Sequence, residues 1–137
     1  MKKSKLMNNM KYYINKTTNY SFDEAISRVT EELKKEGFGI LTEINVQETL
    51  KKKLNVDFKK YRILGACNPV KAYEALKGED KIGTMLPCNV IVQELENGKV
   101  EVAAINPISS MMAIDNPGLA EFAQGVKEQL ERVIDAL

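Results

Sequence analysis

The stretch that decides the fold is Cys88–Ala104, CNVIVQELENGKVEVAA. Cys88, Val90 and Val92 alternate along one strand, and Val100, Val102 and Ala104 alternate along the return. A period of two places each set on one face of a sheet. Between them, Asn97-Gly98 predicts a two-residue type I′ hairpin, because both residues tolerate positive φ. An antiparallel pair is therefore the centre from which the remaining elements are placed.

Upstream, Tyr61, Ile63, Gly65 and Cys67 share a parity and predict a strand over 59–67. Phe38, Ile40, Ile44 and Val46 do the same over 38–46. Met10–Thr17, MKYYINKT, is rich in β-formers and reads as a further strand. Ser21-Phe22-Asp23-Glu24 has the form of a capping box. Phe22, Ala25, Ile26, Val29 and Leu33 then follow at helical spacing until Gly37 stops the helix. Residues 47–54 read as a weaker, lysine-rich helical turn or two.

Three of the four prolines follow asparagine, at Asn68-Pro69, Asn106-Pro107 and Asn116-Pro117. Asn accepts from free helix amides, and Pro at the first helical position has no N–H to satisfy. Each pair predicts a helix start: a helix over 69–77, a short one to about Met112, and the longest over 117–136. The long helix carries an apolar stripe from Leu119 through Phe122, Val126 and Leu130 to Leu137. The fold class is α+β, with helices packed on one face of a mainly antiparallel sheet. Residues 1–9 read as a flexible polar lead-in, and 10–137 as one α+β domain.

Composition narrows the function classes. Apolar residues make up 44% and charged residues 28% of 137 positions, the mix of a globular protein. Twenty basic and nineteen acidic residues nearly cancel, so net charge favours neither nucleic acid nor membrane as partner. The cationic start is followed by no apolar signal-peptide core, and no run is long enough to span a bilayer. Two cysteines are too few for a disulfide scaffold, so a cytoplasmic protein with reduced thiols is expected. The lysines at 51, 52, 53, 59 and 60, with Arg62, read as a wet surface. The glycine-flanked segment 77–84 reads as a connection or a flap.

There is no histidine, which removes every Cys–His and Ser–His mechanism. Cys67 and Cys88, each followed by Asn, are then the candidate soft nucleophiles or metal ligands. Cys67 stands at a strand end just before a helix cap, where the helix dipole would lower a thiol pKa. Zinc wants four ligands, so one subunit cannot complete a Cys/His set. A two-fold dimer could supply both thiols twice for zinc. Cu(I) would accept fewer soft ligands, with Met85 a weak further candidate. Met111 and Met112 read as helix packing.

Gly65-Ala66-Cys67-Asn68-Pro69, then Ala72, Ala75-Leu76, Ile82-Gly83 and Leu86-Pro87-Cys88-Asn89-Val90, carry a resemblance. With Asn116-Pro117 and the closing Val133-Ile134-Asp135-Ala136-Leu137, the pattern resembles the bacterial and archaeal family called domain of unknown function 302. The resemblance implies a β-α-β(4)-α type fold, commonly a homodimer, and no established activity. Cys67, Asn68, Pro69, Pro87, Cys88 and Asn89 carry over as signature positions only.

The leading expectation is a non-catalytic, dimeric small-ligand-binding domain with a pocket near the two Cys-Asn motifs. The alternatives are a thiol-dependent redox protein or enzyme using Cys67 and Cys88, and soft-metal binding across a dimer. Whether the protein is an enzyme stays open. No cofactor is expected, and the expected partners are a second copy and a small molecule.

Overall fold

The computed structural model describes residues 11–137. The polar lead-in and the first residue of the expected 10–17 strand therefore lie outside the described residues. Among the described residues, five strands form one sheet: β1 (Tyr13–Thr18), β2 (Gly39–Asn45), β3 (Tyr61–Cys67), β4 (Cys88–Glu94) and β5 (Val100–Ile105). Their spatial order is β1-β5-β4-β3-β2, with every neighbouring pair antiparallel.

Five α-helices among the described residues accompany the sheet: α1 (Phe22–Lys35), α2 (Val46–Leu54), α3 (Pro69–Gly78), α4 (Pro107–Met111) and α5 (Pro117–Asp135). A 3-10 segment, Asp80–Met85, joins α3 to β4. The architecture is α+β, a β-α-β(4)-α frame into which the shorter helices are inserted.

The central hairpin departs from the two-residue turn. Gly98 N–H donates to Leu95 C=O at 2.9 Å, and Leu95 N–H donates to Lys99 C=O at 2.8 Å. Only Gly98 takes positive φ, +84°. The loop thus has three residues, Glu96–Gly98, a type I turn closed by a left-handed glycine. The register explains why. Val92 pairs with Val102 and Val90 with Ala104, so these four fully buried side chains share one face. A two-residue loop would slip the return strand by one and turn those side chains to the other face.

That buried face receives α1 and α5. Val90, Val92, Val102 and Ala104 are fully buried beneath Ala25, Val29 and Leu33 of α1 and Val126, Leu130 and Val133 of α5. The caps follow the sequence. Ser21 Oγ accepts from Glu24 N–H at 3.2 Å, and Asn68, Asn106 and Asn116 each accept from an early amide of their helix. Gly37, at φ +87°, ends α1.

A second, smaller cluster joins Ala75 of α3, Ile82 of the 3-10 segment, Met111 of α4, and Leu119 and Ala123 of α5. Ile82 is fully buried, so the 77–84 segment is pinned at its middle instead of free to act as a flap. Met111 packs as expected, whereas Met112 is exposed.

Among the described residues, no helix covers the centre of the opposite sheet face. Gly65 lies there, buried where β3 is crossed by Thr42 and Pro87: a Cβ would stand 2.1 Å from Thr42 Oγ1 and 2.8 Å from Pro87 Cγ. Gly65→Ala is expected to lower the unfolding free energy by about 2 kcal/mol through overpacking, read as a urea midpoint shift at constant m.

Candidate functional site

The first Cys-Asn motif is built at the β3–α3 junction. Cys67 is the last residue of β3, half-buried, and pairs with Gly39 on the edge strand. Asn68 accepts from Lys71 N–H at 3.3 Å and donates to the Glu36 carbonyl at 3.4 Å. It thereby ties the start of α3 to the end of α1. Gln129 of α5 donates to the same carbonyl at 3.0 Å, so three helices meet on one oxygen. Pro69 follows at the first helical position and is exposed. Pro69 has no N–H, and the Lys71 amide is taken by Asn68.

The second motif lies where the 3-10 segment enters β4. Cys88 is register partner to Ala66, one residue from Cys67, and points into the main core with 7% of its surface exposed. Both thiols are free. Burial, and secondarily the charge on Cys67, push the Cys88 thiol up to about 11. A thiol so placed stays protonated at neutral pH and is a poor nucleophile.

The two motifs do come together. Cys67, Asn68, Pro87 and Cys88 line a common niche with Lys71 and Phe122, but its volume is about 20 Å³. That is room for one water and no ligand. Among the described residues no group of three or more Cys, Asp or Glu side chains is placed to hold a metal.

Larger spaces open on the other side of Pro87-Cys88-Asn89. A groove of about 330 Å³ runs past Met85, Pro87, Cys88 and Asn89 to Ile105 and Met111. A second hollow, about 380 Å³, sits on the sheet face opposite α1 and α5. Its floor is Ile91, Ala103 and Ile105, and its walls are Tyr12, Tyr13 and Tyr61. Asn89, Gln93 and Glu101 supply its polar groups, and Asn89 and Ile105 belong to both spaces.

Glu101 is held firmly. Its Oε1 accepts from Gln93 Nε2 at 2.7 Å and its Oε2 accepts from Asn15 Nδ2 at 2.8 Å. The Tyr61 hydroxyl has its pKa raised, by burial first and then by the neighbouring charges of Tyr12 and Glu101. It is a neutral donor throughout the physiological range.

The sequence model of a family described as a domain of unknown function, DUF302, matches residues 14–137. The chain belongs to the DUF302 family. It is also similar to the crystal structure of an uncharacterized conserved DUF302 protein from Bacillus stearothermophilus. The two share 30% identity and a TM-score of 0.86, over 93% of this chain and 98% of that one. No curated protein matches the sequence.

Among the signature positions of this DUF302 chain, Asn89 alone reaches the larger hollow. Tyr12, Tyr13, Tyr61, Gln93 and Glu101 escape a reading centred on thiols. A signal for them exists: Ile91, Ala103 and Ile105 fall on the parity opposite the buried valines, where a solvated face would carry polar residues.

Two outcomes follow from this geometry. Asn68→Ala is expected to cost about 1–2 kcal/mol in urea denaturation, from the lost cap and the lost bridge to Glu36. For Cys88, the folded protein holds the thiol proton more tightly than the unfolded chain does. The resulting stability is complete below the ordinary thiol pKa of 9.0 and fades as pH rises toward about 11. Over that window the native protein should lose about 2 kcal/mol more than a Cys88→Ala variant, measured as the converging gap between their unfolding free energies.

Proposed function

We propose that this DUF302 protein is a non-catalytic, dimeric, small-ligand-binding domain whose cleft flanks the second Cys-Asn motif. The observation that carries the reading is the hollow of about 380 Å³ with an apolar floor, tyrosine walls and a few fixed polar groups. Its size and lining match those of small-molecule sites, which are mostly apolar with a small number of placed donors and acceptors. The adjoining groove extends the cleft past Pro87 and Cys88, so the motif forms the ridge between two parts of one site.

Binding fits the chemistry better than catalysis. Both carboxylate oxygens of Glu101 are engaged by side-chain amides, an arrangement that fixes a charge in place. The buried Cys88 thiol is held in its neutral form. Two unpaired thiols suit a reducing compartment, consistent with a cytoplasmic location. No helix among the described residues is long and apolar enough to cross a membrane.

The dimer reading is supported by edge strand β2, where Leu41 is 68% exposed and Ile44 47% exposed. Two apolar side chains on an edge that no described strand pairs are the feature that chain-to-chain strand pairing covers. Leu41→Lys should shift sedimentation from twice the chain mass to one, and an unchanged monomeric native protein would remove the dimer.

The cleft itself is tested by filling it. Ala103 lies on the floor, opposite Ile91 in the sheet. Saturation-transfer NMR with a library of aromatic and aliphatic fragments should give hits on the native protein. Ala103→Phe should lose them while keeping the native circular dichroism spectrum. Hits that persist in the variant would place the binding elsewhere.

A further inference from the structure

We propose that the tyrosine-walled hollow on the sheet face opposite α1 and α5 selects a small organic cation, an ammonium or guanidinium group carried on an apolar body. This deepens the ligand-binding reading above and rests on it. Three observations converge.

The first is a fixed, uncompensated carboxylate. Glu101 is gripped by Asn15 and Gln93, both neutral donors, and among the described residues it forms no ion pair. A carboxylate has about four acceptor sites, so two amide donors leave capacity for a ligand's N–H groups or its charge.

The second is the aromatic wall. Tyr12 and Tyr13 pack edge to face, with ring centres 4.9 Å apart and planes at 75°. On the other flank Tyr61 is braced by Phe58 at 6.3 Å. Aromatic faces around a carboxylate attract a cation through the ring quadrupole, and bulky ammonium groups are the ligands best suited to such cages.

The third is that the wall already draws cations. Lys11 Nζ stands 5.8 Å from the Tyr13 ring centre and Lys59 Nζ 6.0 Å from that of Tyr61. Both lysines are exposed, on flexible stems at the outer limit of such contacts, and yield readily to a cation that also reaches Glu101. An anion would gain from these two lysines but would meet the Glu101 charge at the floor. Beneath the charged group, Ile91, Ala103 and Ile105 offer a dry surface for the rest of the molecule.

The test is an NMR titration of the full chain with three probes of one shape class: benzyltrimethylammonium, benzyl alcohol and benzoate. The ammonium should saturate amide shifts in β4 and β5 at millimolar concentration. Benzyl alcohol should bind about tenfold more weakly and benzoate more weakly still. Glu101→Gln should bring the ammonium to the level of the alcohol, and Tyr12→Leu, a change at the exposed rim, should weaken it several-fold even if Glu101→Gln fails to fold. Equal binding of the three probes, or preference for benzoate, overturns the cation inference and leaves the binding cleft standing. Ammonium binding indifferent to these variants also overturns it. Failure of all three probes to shift β4 and β5 overturns both.

Discussion

The structure depends on the register of β4 against β5. These are the strands onto which both long helices pack, and the four residues Val90, Val92, Val102 and Ala104 have no exposed surface. Burying an aliphatic side chain of this size contributes about 1.5–3 kcal/mol, and a slip of one residue would forfeit the whole set at once. The hairpin loop obeys that constraint: it lengthens to three residues so that valine meets valine. From this pair the sheet grows outward, β3 alongside β4 and β1 alongside β5, and α1 carries the chain across from one edge to the other.

The elements were legible where a local rule has one physical solution. Each Asn-Pro pair starts a helix because the asparagine oxygen and the proline ring satisfy the same end of the helix together. The stripes of α1 and α5 predicted their buried faces, with Ile26, Phe122 and Leu137 at the margin. The turn was misread because Asn-Gly favours one loop locally while the valine pattern demands another, and the non-local term wins. Strand order was not legible, since parity says which face a residue takes and not which neighbour it has. The bulge between Ile40 and Thr42 is similar: it lets Ile40 join the core face beside Ala66 while Ile44 sits beside Ile63 on the other. Only the pairing with β3 reveals it.

The same distinction applies to the site. In a chain without histidine the thiols draw attention, and the structure brings both motifs to one niche. Its interior is nearly filled, and Asn68 is occupied with joining three helices at the Glu36 carbonyl. The hollow on the other sheet face arises instead from residues far apart in sequence: Tyr12 and Tyr13 near the start, Tyr61 in the middle, Glu101 late. No spacing rule connects them. Their adjacency is a product of strand order, the part of the fold that the sequence pattern leaves undetermined.

The small cluster around Ile82 and Met111 has a consequence for motion. It is built from short segments, α3, the 3-10 turn and α4, closed by the first turns of α5, with Phe122 shared between it and the main core. Local opening costs least where few apolar contacts must be broken, so this cap, packed on α5, is the part of the fold that opens at the lowest cost. Leu86 and Ile108 belong to the cap's packing, and Met111 lines the groove beside Cys88. The groove beside Cys88 therefore has the sheet on one side and this cap on the other. A ligand lodged between them would slow amide exchange across α3 and α4, far beyond the atoms it touches.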